Sequence, residues 1–151
     1  MSAPVFEPAS SSSDSLALLA AHDIGRLAVS LGSAHHPLIR PVTYAYDRPS
    51  NSVVFRSDEG SKLYALLTAR HACFEIDGVD GDSLWSVIVR GHAEPVTGAD
   101  EIARFDALGL TAAVGMRHPR WMRIRAELVT GRRFALGAGR HGPGSEPAVN
   151  R

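Results

Sequence analysis

The stretch from Trp85 to Val96, WSVIVRGHAEPV, constrains the fold more than any other part of the chain. Val87, Val89, Gly91 and Ala93 fall on one side of a period-two repeat, with Arg90, His92 and Glu94 on the other. A strand with one face buried and one face wet requires that alternation. Met122–Thr130 repeats it: Met122, Ile124, Ala126 and Leu128 alternate with Arg123, Arg125 and Glu127. The chain is therefore expected to build its core around long, half-buried strands.

Shorter elements surround these two. Asp14 is placed to cap a short helix carrying Leu16, Leu18 and Leu19, which Gly25 stops. Arg26–Leu31, Leu38–Tyr46, Ser52–Ser57 and Ala72–Ile76 read as strands, with turns at His35–Pro37 and Asp47–Asn51 between the first three. Between the last two, Leu63, Leu66 and Leu67 have helical spacing and predict a helix over Gly60–Thr68. Asp77–Ser83 reads as a loop, and Asp100–Leu110 as a helix with Ile102, Phe105 and Leu108 inward. Helices interrupt the strand meander without regular βαβ alternation. The expected fold is mainly β with peripheral helices, a six-stranded antiparallel barrel that is only partly closed. It occupies residues 14–136, between a flexible N-terminal segment, 1–13, and a Gly/Pro-rich tail, 137–151.

Charge narrows the function classes. The 16 basic and 16 acidic residues cancel, whereas a protein that binds nucleic acid through bulk charge carries an excess of Lys and Arg. No apolar run reaches the roughly 18 residues that span a bilayer, and the N-terminus lacks the pattern of a signal peptide. The single cysteine, Cys73, suits a reducing compartment, and a cytoplasmic location is expected. Lys62 is the only lysine; the other basic residues are arginine.

That lysine ends the most informative segment, Phe55-Arg56-Ser57-Asp58-Glu59-Gly60-Ser61-Lys62. A strand hands over to a helix here, and N–H groups at a helix start attract anions. Arg56, Ser57, Ser61 and Lys62 supply cationic and hydroxyl donors around that point. No Walker motif, GxGxxG, HExxH or CxxC is present, and Asp77, Asp80 and Asp82 do not have EF-hand spacing, so no metal site is expected.

Several segments together resemble the pyridoxamine 5′-phosphate oxidase-like split-barrel flavoproteins, in particular their short actinobacterial-type members. The matching pieces are GRLAVS at 25–30, PLIRPVTYAY at 37–46, VVFRSDEGSKLYAL at 53–66, CFEID at 73–77, WSVIVRGHAEPV at 85–96, Trp121, and VTGRRF at 129–134. The resemblance implies an FMN-binding split β-barrel that forms a homodimer, with the flavin in a groove at the interface and a small-molecule substrate. It places Arg40, Pro41, Val42 and Thr43 along the flavin. Phe55, Arg56, Ser57, Ser61 and Lys62 fall at the phosphate and ribityl chain, and Trp85, Ser86 and Trp121 at further cofactor contacts. Arg132 or Arg133 would lie close by. Ser61 stands where the authentic oxidases carry an arginine directly before the lysine, and those enzymes have a longer chain and a substrate-phosphate site with no match here, so pyridoxamine phosphate itself is not supported as substrate. Two alternatives share the fold: a reductase using the deazaflavin F420, and a non-catalytic flavin- or haem-binding protein, for which His71 and His92 are the available axial ligands.

Overall fold

The computed structural model describes residues 5–7, 12–68, 70–110 and 114–136. Its strands are β1 (Val5–Glu7), β2 (Ile24–Val29), β3 (Leu38–Thr43), β4 (Ala45–Asp47), β5 (Ser52–Asp58), β6 (Arg70–Asp80), β7 (Ser83–Pro95) and β8 (Pro119–Ala135). The helices are α1 (Ser12–Ala21), α2 (Lys62–Leu67) and α3 (Ala99–Asp106). Seven strands form one antiparallel path, β3-β2-β6-β7-β8-β5-β4, and β1 joins β8 in parallel.

Sequence and connectivity together explain how this sheet closes. β3 and β4 are the two ends of the path, yet Tyr44 alone separates them in the chain. The sheet must curl until its ends meet, and β3 comes to lie against β5 without pairing to it. Tyr44 is buried at this seam. Its hydroxyl donates to the Leu19 carbonyl of α1 at 2.8 Å, its N–H donates to Asp23 at 2.9 Å, and its ring meets Phe74 edge-on at 4.5 Å between centroids. Burial pushes the Tyr44 phenol well above its ordinary pKa, and the nearby Asp23 adds to that shift.

Alternation gave most strands their correct inward faces. Leu27 and Val29, Phe74 and Ile76, Val87 and Val89, and Met122 and Ile124 are all buried in the main core. Leu19 of α1 and Leu67 of α2 enter the same core from the helices. A second, smaller core of Val54, Val96, Phe105 and Trp121 lies under α3, so β5 is covered on both faces.

The strand count departs from six. The expected strand 38–46 breaks at Tyr44 into β3 and β4, since a straight strand could not turn the seam. Val5–Glu7 lies in the segment expected to be flexible and instead pairs with Leu128–Thr130. The expected loop at 77–83 is mostly strand: β6 continues to Asp80, and Gly81 at φ 59° supports a tight turn into β7. The tail 137–151 lies outside the described residues.

Candidate functional site

The segment between β5 and α2 is built as a tight turn. Ser61 N–H donates to the Asp58 carbonyl at 3.0 Å, and Gly60 adopts φ 84°. A left-handed residue at the third turn position is a type II requirement that glycine meets without steric cost. Ser61 then caps α2, its hydroxyl accepting from Tyr64 N–H at 3.0 Å. The turn is stitched to the start of β8. Asp58 accepts from His118 N–H at 2.6 Å and Arg117 N–H at 3.3 Å, and Glu59 pairs with Arg120 at 2.7 Å. The two backbone donors, His118 first, hold the Asp58 carboxyl below its ordinary pKa. From this anchored turn Lys62 projects exposed, with no ion-pair partner among the described residues.

The other expected site residues separate into groups. Arg40, Pro41 and Thr43 are exposed on β3, and Val42 is half-buried against the core. As a sheet edge, β3 keeps one row of backbone N–H and C=O groups unpaired. On β5, Phe55 and Ser57 face the main core, and Ser57 is only 2% exposed. Arg56, between them, faces the opposite side, as strand geometry demands. There it joins Trp121, directly across the ladder.

Arg56 and Trp121 form a compact polar–aromatic cluster. The guanidinium lies 4.6 Å from the Trp121 ring centroid and reaches Asp106 of α3 at 3.2 Å. Trp121 Nε1 donates to the same Asp106 oxygen at 2.7 Å, and the indole packs edge-on against Phe105. Arg56 Nε is buried without a partner, at a hollow of about 190 Å³ that Asp106, Arg120 and Trp121 help to line. Trp85 sits elsewhere in the fold. It is 5% exposed, in the main core, with its ring 4.9 Å from that of His22. Its neighbour Ser86 faces outward and pairs with Asp77 and Arg132 on the flanking strands.

The structure thus places β3 against β5, with Lys62 at the start of α2 after the turn that ends β5. It places Arg56 with Trp121 under α3, and Trp85 inside the barrel. The hydroxyl of Ser61 accepts the helix-cap bond and keeps its own O–H as a donor. Sequence reasoning missed Tyr44, Asp58 and Asp106, three residues that set these positions. Asp58 sits in a polar stretch and meets residues about sixty positions away, and Asp106 ends an amphipathic helix whose docking partner the local pattern does not name.

A charge network lies beside the α3 cluster. Arg123, with its side chain only 8% exposed, bonds Glu94 at 2.8 Å and also Glu101; Arg125 bonds Glu94 at 2.6 Å. Burial alone would raise the Glu94 carboxyl, but the hydrogen bonds from Arg123 and Arg125 overcome it and hold the pKa below its ordinary value.

The chain has relatives in sequence and in fold. The profile of the family described as pyridoxamine 5′-phosphate oxidase matches residues 11–133. An uncharacterized protein of Mycobacterium tuberculosis is 35% identical over 89 residues, which are 57% of this chain and 78% of that protein. Among solved structures, an FAD-binding protein from Mycobacterium smegmatis superposes with a TM-score of 0.75 at 29% identity, covering 85% of this chain and 98% of that one. A candidate pyridoxamine 5′-phosphate oxidase from Corynebacterium glutamicum gives 0.72 at 32% identity, over 84% and 97%.

Proposed function

The chain belongs to the pyridoxamine 5′-phosphate oxidase family, and from that premise we propose that it is an FMN-dependent oxidoreductase acting on a small molecule. The observation that carries the reading is Lys62, an exposed ammonium with no ion-pair partner among the described residues, opening α2 directly after the hydrogen-bonded turn that ends β5. A phosphate there gains a charge-assisted contact from a cation that no internal carboxylate has claimed. The edge of β3 offers unpaired backbone groups to the polar rim of a flavin ring, and the exposed Thr43 hydroxyl adds a further donor. These residues fit a phosphorylated flavin. Bound flavin supplies hydride and electron transfer; the protein supplies anchoring, orientation and the electrostatics around the ring.

A second reading replaces FMN by FAD, because the solved M. smegmatis relative at 29% identity is an FAD-binding protein. Both flavins present a phosphate at the end of the ribityl chain, so Lys62 serves either. Titration of the purified chain with FMN, FAD, riboflavin and F420, followed by flavin absorbance and fluorescence, separates them. With Lys62→Ala, FMN affinity should fall about 10- to 150-fold, the loss of one charged hydrogen bond worth roughly 1.5–3 kcal/mol. Riboflavin, which lacks the phosphate, should bind unchanged. Equal weakening of both, or of neither, removes the anchor, and a preference for F420 removes the flavin.

The same reading includes a cytoplasmic homodimer. Trp85 and Trp121 are packed inside the subunit, so the interface would use other surfaces. Ile39 on the β3 edge is 60% exposed and Ile24, on the adjacent β2, is 59% exposed, and these apolar side chains lie beside the seam. An obligate dimer buries more than about 2,000 Å², and a monomeric mass by light scattering at micromolar concentration would remove it.

A further inference from the structure

On the outer face of the sheet, three side chains converge from three strands. His71 of β6 and His92 of β7 are directly opposite partners in the ladder, their ring centroids 3.9 Å apart. The third comes from an irregularity in β8. Arg90 pairs with Leu128 and Gly91 with Ala126, which leaves Glu127 as an extra residue, a β-bulge. Gly91 makes the bulge possible, since a Cβ there would lie 1.7 Å from the Arg125 carbonyl oxygen. The bulge carries the Glu127 carboxylate to 2.5 Å from His92 Nδ1. One donor atom from each of the three residues lies within 4.8 Å of the others, and all three side chains are exposed.

We propose that His71, His92 and Glu127 bind a divalent transition-metal ion of the zinc type. Two imidazole nitrogens and one carboxylate oxygen are borderline ligands that suit zinc and its neighbours rather than calcium or magnesium, which take all-oxygen sets. Three donors about 2.0–2.1 Å from a tetrahedral centre stand roughly 3.3 Å apart. His92 and Glu127 therefore separate by roughly 1 Å while His71 closes in, movements that exposed side chains make by rotation about their own bonds. The strands hold the three Cα positions, so the ligand set is positioned by the ladder rather than by a loop.

Three protein ligands leave a fourth position open. It faces a hollow of about 340 Å³ that His71 and Glu127 line together with Pro37, Cys73 and Arg90. The guanidinium of Arg90 favours an anion in that position, such as hydroxide or a ligand carboxylate. None of the three ligands is among the residues assigned to the flavin, so the site can be tested separately from that reading.

The test uses tag-free, chelator-treated full-length protein near pH 7. Cobalt(II) is titrated in as a coloured probe, and zinc(II) is then added in competition. One equivalent of cobalt should bind per chain, giving the intense visible bands of a four-coordinate ion that zinc then abolishes. His92→Ala and Glu127→Gln should each weaken binding at least about 10-fold, and His36→Ala, which removes a surface histidine outside the cluster, should leave it unchanged. Circular dichroism of each variant reports that the fold is kept, and Glu127→Asp, which retains the carboxylate, should weaken binding less than Glu127→Gln. Binding that does not saturate near one equivalent, or that survives His92→Ala at full strength, overturns the site. Flavin affinity enters neither outcome.

Discussion

The β3 edge with the start of α2, and the cluster under α3, use cationic side chains to opposite ends. Under α3, Arg56, Arg123 and Arg125 are all spent on carboxylates from other elements, and Arg56 also lies over the Trp121 ring. Lys62 at the start of α2 and Arg40 on β3 stand exposed, and no ion pair among the described residues engages either. A paired and half-buried cation holds elements together; an unpaired one beside an open edge remains available to a ligand. Arg40 and Arg56 are the same residue type, and only the partner distinguishes them.

Four measurements would sharpen or break that contrast, and Trp121→Ala should have the largest effect. It empties much of the smaller core and strips Asp106 and Arg56 of their aromatic partner, so stability should fall by about 3–5 kcal/mol in denaturant unfolding. A loss below about 1 kcal/mol would mean that the α3 cluster does not hold the fold. Next comes Arg123→Met, which leaves Glu94 and Glu101 without their shared cation. Because both carboxylates are partly exposed, a loss of about 1–3 kcal/mol is expected, below the range for a fully buried pair.

Acid should reveal the same network. Glu94 has a folded pKa below its ordinary 4.5, so its ion pairs contribute stability that is complete above that pH. The contribution is lost as pH falls from about 4.5 through the lower folded value. Glu94→Gln should therefore flatten the stability–pH curve in that acid window, and a curve parallel to the wild type would contradict the assignment. Smallest of all should be the effect of Lys62→Ala on folding, within about 0.5 kcal/mol, as for other surface substitutions. If that variant melts several degrees early, Lys62 supports the fold and the contrast between the two regions collapses.

The long strands and the main core were legible because alternation at Val87–Ala93 and Met122–Ala126 records burial directly. The phase change on β8 was not. Leu128 continues the alternation on paper, yet Val129 is the fully buried residue, because the bulge at Glu127 inserts one position. With Leu128 and Val129 both apolar, the pattern cannot locate that insertion. The seam was hidden for a similar reason. Leu38–Tyr46 has strand composition throughout, and only the return of β4 to β5 shows that the chain must turn at Tyr44. At the site, the turn and Lys62 were visible from Gly60 and the single lysine. The face presented by Arg56 depends on the exact strand phase, and its capture by Asp106 depends on where α3 docks. Neither is written in the local sequence.

The one-residue junction at Tyr44 also bears on how the chain reaches this structure. β2 with β3, and β4 with β5, are local hairpins that can form early, each from neighbouring residues. They diverge from Tyr44 as two arms of one pivot, and they belong at opposite ends of the finished sheet. The β6–β7–β8 meander must enter between them, with β2 meeting β6 on one side and β5 meeting β8 on the other. The second of these contacts joins residues some seventy positions apart, such as Val54 and Arg123. Sheets closed by such distant pairings fold slowly, on the millisecond-to-second scale. Until β8 arrives, β5 keeps an unpaired edge beside Val53 and Phe55, and that interval is when two newly made chains are most exposed to pairing with each other.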